Sequence, residues 1–112
     1  MADLTMQQML QVLTWGLTEQ AELAASEVNC KTGFTQNSPG AAAEWANNAE
    51  VIARYIGQVA AGGVTQAQFA DMLADSGIGE ELAYTEPADL NGLPLKAQAW
   101  QIANNAGLLA DY

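Results

Sequence analysis

The chain has 112 residues and a formal net charge of −10, from thirteen Asp plus Glu against three Lys plus Arg. It is long enough for one domain with a modest core, and its 50% apolar content lies outside the disordered range. So acidic a chain is repelled by nucleic acid and by anionic membrane, which leaves basic protein surfaces, or copies of itself, as partners.

A first helix is expected from Met6 to about Val28. Thr5 and Gln8 stand at the spacing of a capping box, in which each side chain satisfies a backbone N–H that the helix leaves free. Leu4, before the cap, is placed to staple onto Met9. Met6, Leu10, Leu13, Leu17, Ala21, Ala24 and Val28 step by three and four and predict one buried stripe. Trp15 falls about 160° from Leu13 and is therefore expected to project from that stripe.

Asn29 to Asn37 predicts a loop, with Asn29 as a helix stop and Gly33 as a turn residue. Ser38-Pro39 reads as an N-cap followed by proline at the first helical position. A second helix from about Pro39 to Ala61 buries Ala42, Trp45, Ala49, Ile52, Ile56 and Val59, and Gly62-Gly63 ends it. Thr65 and Gln68 repeat the capping box, with Val64 and Phe69 as the staple. They open a short third helix that turns Phe69, Met72 and Leu73 inward and stops near Ser76-Gly77. Ile78 to Leu95 is irregular, with one helical turn expected over Glu80 to Tyr84. A fourth helix from Pro94 runs almost to Tyr112, with Leu95, Ala99, Ile102, Ala106 and Leu109 inward. Trp100 lies about 180° from Leu109, off that stripe.

Two stretches recur. Ala46-Asn47-Asn48-Ala49-Glu50-Val51-Ile52-Ala53-Arg54-Tyr55 matches Ala103-Asn104-Asn105-Ala106-Gly107-Leu108-Leu109-Ala110-Asp111-Tyr112 at six positions. Leu4 to Met9 matches Val64 to Phe69 in the same order along the chain. The expected fold is therefore all-α: a single domain over residues 1–112, a small four-helix bundle made of two duplicated helix-loop-helix units, residues 4–61 and 64–112. Asn48 and Asn105 would then sit near a pseudo-two-fold axis, as a buried pair fixing register or at the rim bonded to water.

Little catalytic chemistry is available, and the chain is read as a non-enzyme without cofactor or metal. It has no histidine and one cysteine, Cys30, which excludes Ser-His-Asp and Cys-His arrangements, His-containing zinc sites and an internal disulfide. The carboxylate pairs Glu80-Glu81 and Asp71 with Asp75 read as surface rather than as acid–base machinery. Asp89-Leu90-Asn91-Gly92 lacks the alternating oxygen ligands of a calcium loop. Without histidine, no sharp switch between pH 6 and 8 is expected. With a lone cysteine, no secretory signal and no membrane-length apolar run, the expected location is cytoplasmic: that of the host, for a phage-encoded chain.

Val64 to Leu73 resembles the first helix of the helix-turn-helix in repressor-type DNA-binding domains. Ile78 to Asn91, where the recognition helix would follow, has no basic residue for phosphates or bases, and the capping box accounts for the same residues. In size, duplication and acidity the chain resembles phage-encoded host-takeover proteins in general character. The expected function is a protein-binding regulator or inhibitor that docks on the basic surface of a larger, nucleic-acid-handling protein. Trp15, Trp100, Tyr84, Glu80 and Glu81 are its candidate contact residues. The alternative is a self-associating structural protein, such as a small virion or scaffold component, held together by helical faces.

Overall fold

The computed structural model of the chain describes residues 3–29, 39–110 and 112, the side chains of 27–29 and 39–42 excepted. Five α-helices and one 3-10 turn follow one another: α1 (Met6–Asn29), α2 (Pro39–Ala61), α3 (Gln66–Ser76), α4 (Ile78–Ala83), the turn Pro87–Leu90, and α5 (Pro94–Asn105). No strand occurs among the described residues, and the fold is an all-α helical bundle. The expected Ser38 cap, the Gly33 turn and Cys30 lie outside the described residues.

Both capping boxes form. Thr5 Oγ1 accepts from the Gln8 N–H at 3.1 Å while Gln8 Oε1 accepts from the Thr5 N–H at 2.9 Å. Thr65 and Gln68 repeat the arrangement at the same two distances. Gln66 Oε1 also accepts from the Leu4 N–H at 2.7 Å, which ties the start of α1 to the start of α3. Gly62 and Gly63, at φ 91° and 85°, supply the left-handed backbone that turns the chain out of α2.

The α1–α2 hairpin is the long axis of the molecule, and α3, α4 and α5 fold back over one part of it. The core gathers Val12 and Leu13 of α1, Ile52 and Val59 of α2, Phe69 and Leu73 of α3, Ile78 and Leu82 of α4, and Ala99 and Ala103 of α5. Beyond that core, Ala21, Glu22, Ala25 and Ser26 of α1 and Ala43, Glu44, Ala46 and Asn47 of α2 are exposed.

Two expectations change. The buried face of α1 carries Met9, Val12, Leu13, Gly16 and Gln20 and is rotated about 90° from the stripe read in the sequence. Gly16 and Gln20 are invisible to an apolar count, yet they lie at the centre of that face. A Cβ on Gly16 would stand 2.7 Å from Ile78 Cδ1, so glycine permits α4 to approach α1. Met6 is exposed, as is Ala21.

The fourth expected helix divides. Ile78–Ala83 is a separate short helix joined to α3 at Gly77 (φ 80°), and α5 stops at Asn105 ahead of Gly107 (φ 76°). Among the described residues the bundle thus has five α-helices, where four were expected. The ten-residue repeat is helical throughout in Ala46–Tyr55 but leaves the helix after its third residue in Ala103–Tyr112. Asn48 donates to Gln20 across α1 and α2 at 3.2 Å, whereas Asn105 is exposed, so the two do not form a buried pair.

Candidate functional site

The short helix α4 organises the chemistry. Gly77 in the left-handed region turns the chain sharply after α3, and the buried residues Ile78 and Leu82 seat α4 on the core. The same turn of helix carries Glu80 outward and Glu81 sideways, toward α1 and α5.

Glu81 stands in a wall between two recesses. On one side it joins Gln20, Glu44, Trp45, Asn48 and Glu80 around an open hollow of about 350 Å³. Among the described residues, every titratable group of that lining is a carboxylate. On the other side, Lys96 of α5 lies 3.9 Å from Glu81 Oε1, and Glu19 of α1 is a hydrogen-bonding neighbour of the same carboxyl. Glu19 and Lys96 belong to a second, largely apolar cleft of about 290 Å³, with Trp15, Leu93, Pro94 and Leu95.

Glu19 is the unusual group. Its Oε2 is buried and no N–H or O–H donor reaches it among the described residues. Burial, the hydrogen bond with Glu81 and the charge of Glu81 raise its pKa from 4.5 to about 8, with Lys96 acting in the opposite sense. At neutral pH Glu19 is therefore a neutral acid that can donate to Glu81. Two carboxyl groups and one ammonium then carry no net charge between them. This titration near pH 8 is absent from any reading that looks only for histidine.

The predicted contact residues divide. Tyr84 is 68% exposed and Glu80 is exposed, as expected. Glu81 is half-buried in its ion pair. Trp100 is half-buried and packs against the core. Trp15 is only 6% exposed, so it does not project from the surface. It packs into the core on the α5 side of α1 and forms the floor of the apolar cleft. Replacing it would damage the fold before it reported on an interface. Sequence reasoning missed Glu19, Glu44, Trp45 and Lys96 as site residues, because only the tertiary meeting of α1, α2, α4 and α5 brings them together. Leu93 and Leu95, 47% and 58% exposed, were also missed; Leu95 was expected inward.

Among the described residues no group of three or more acidic or cysteine side chains is placed to hold a metal ion, and no helix is long and apolar enough to cross a membrane. The short α4 after α3 carries two acids and no base, unlike a helix that enters a DNA groove. Comparison with family models, with curated proteins and with solved structures returns no match for this chain.

Proposed function

We propose that the chain is a small, non-enzymatic binding module that docks its acidic face on a basic surface of a larger protein, of the kind that handles nucleic acid, and regulates or inhibits it. One observation carries the reading: among the described residues, the largest recess beside α4 is lined by Glu44, Glu80 and Glu81 with no base among them, while the nearby Lys96 is engaged by Glu81. Exposed Tyr84, four residues after Glu80, adds an aromatic contact of the type enriched in binding hot spots. A net charge of −10 would steer the encounter.

The test is retention of a partner from lysate of the source organism on the tagged full chain, at low salt and at about 1 M salt, where the Debye length falls to about 3 Å. The reading expects one basic-surfaced protein, lost at high salt and not retained by a Glu44→Lys/Glu80→Lys variant. Recovery of the chain alone at both salts would overturn it. That outcome would favour self-association, which the exposed Leu93 and Leu95 beside the apolar cleft support. An assembly of that kind resists salt and is lost on Leu95→Asp, read by sedimentation.

A further inference from the structure

The corner where α1, α4 and α5 meet holds one group in a place that suits only one of its charge states. Glu19 of α1 lines the apolar cleft with Trp15, Leu93, Leu95 and Lys96, yet its Oε2 is shut off from the surface and receives no N–H or O–H among the described residues. A carboxylate oxygen so placed has lost water and gained no donor in its stead, which is costly for the ion and mild for the neutral acid. The neighbours sharpen the contrast. From α4, Glu81 is both the hydrogen-bonding partner of Glu19 and a like charge. From α5 comes Lys96, which stands 3.9 Å from Glu81 Oε1. The other charged groups that line the two recesses among the described residues are acids: Glu22 of α1 on the cleft, and Glu44 of α2 and Glu80 of α4 on the far side of Glu81. None of these can supply a donor when ionised. With Glu19 protonated, Glu81 and Lys96 balance; with Glu19 ionised, two carboxylates share one ammonium.

We propose that Glu19 is a proton-operated gate of the apolar cleft: as a neutral acid it lies inward on Glu81, and on ionising its side chain swings out into the cleft, to water and to Lys96. The cleft is the exit because Glu19 already lines it, so rotation of the side chain brings both oxygens to solvent without moving a helix. The helices are held in place, α4 by Ile78 and Leu82 and α5 by Ala99 and Ala103, all fully buried in the core. Lys96 is free to follow the charge, since it lines the same cleft and meets Glu81 only at the long end of ion-pair distance. Below the transition the cleft presents Trp15, Leu93, Pro94 and Leu95 beside a neutral wall; above it a hydrated carboxylate stands among them. Burial and Glu81 place the transition near pH 8, within a modest alkaline step of neutrality.

The gate does not rest on the docking reading and is tested on the full chain alone. The chain, labelled with carbon-13, is followed by NMR from about pH 6 to about pH 9.5, across the expected transition. The Glu19 carboxyl carbon should titrate with a midpoint of about 8. The Trp15 ring and the Leu93 and Leu95 methyl signals should move with the same midpoint. Nuclear Overhauser contacts between the Glu19 and Glu81 side chains should give way, at the alkaline end, to contacts from Glu19 to Lys96 or Leu95. Glu19→Gln, neutral throughout, should hold the cleft signals at their low-pH positions. Glu81→Gln should lower the midpoint, which stays above the ordinary carboxylate range because burial remains, and Lys96→Met should raise it. A Glu19 carbon already ionised at the acid end, a titration that leaves the Glu19–Glu81 contacts in place, or cleft signals that titrate equally in Glu19→Gln would overturn the gate.

Discussion

At the scale of single residues, Glu19 and Gly16 set the sharpest expectations. Between pH 4.5 and about 8 the unfolded chain has lost the Glu19 proton that the folded chain still holds. Folding then binds more protons than unfolding, so stability contributed by this group falls as pH rises through that window and is fully present below it. The thermal midpoint should therefore drop between about pH 6 and pH 9, and Glu19→Gln, which keeps a donor toward Glu81 without the charge, should remove most of the drop. A wild-type midpoint that is flat across the range would contradict the assigned titration. Gly16 is a packing constraint. Adding a methyl there gains about 0.5–1 kcal/mol of helix propensity, but it meets the fully buried Ile78, and overpacking of this kind costs about 1–3 kcal/mol. Gly16→Ala should lower the urea-unfolding free energy by about 1 kcal/mol, and Gly16→Val by more.

At the scale of elements, legibility followed locality. Thr5/Gln8 and Thr65/Gln68 are complete within four residues, so the starts of α1 and α3 were readable from the chain. The same holds for Gly62-Gly63 after α2 and for the inward turn of Phe69, Met72 and Leu73. The rotation of α1 was not readable. Its buried face is completed by a glycine and a glutamine, whose value lies in Ile78 and Asn48 on other helices. Nor could the chain order reveal that Glu19, Glu81 and Lys96 meet, since each looks like surface on its own helix. Element stability gives a further check. Thr65→Ala removes a side-chain acceptor from the start of an 11-residue helix and should cost about 1 kcal/mol. Thr5→Ala should cost a similar amount, and the pair should fall short of additivity, because Leu4 and Gln66 link the two helix starts. Full additivity in denaturant titrations would separate the two caps.

At the scale of the whole molecule, the extents are 49 × 32 × 22 Å and the radius of gyration is 14.6 Å. A compact chain of this length would have a radius of about 13 Å. The elongation comes from the hairpin, whose α1 alone is about 36 Å long. Only the part of it covered by α3, α4 and α5 shares the common core. Native-state hydrogen exchange should therefore show two tiers, with slow amides over residues 9–20 and 52–59 and faster ones over 21–26 and 43–47. Uniform protection along both helices would mean that the hairpin is stabilised independently of its cover. The acidic recess lies near the border between the tiers, where Gln20 and Asn48 meet α4.

The contact between Tyr112 and Gly79 has a practical consequence. The phenol rests where a side chain on Gly79 would otherwise stand, one residue before Glu80. Residue 112 is thereby placed against α4, 33 residues further along the chain than Gly79. An environment-sensitive fluorophore installed at 112 would act as a built-in sensor: occupancy beside α4 could be followed by a change of emission, with no label inside the recess itself.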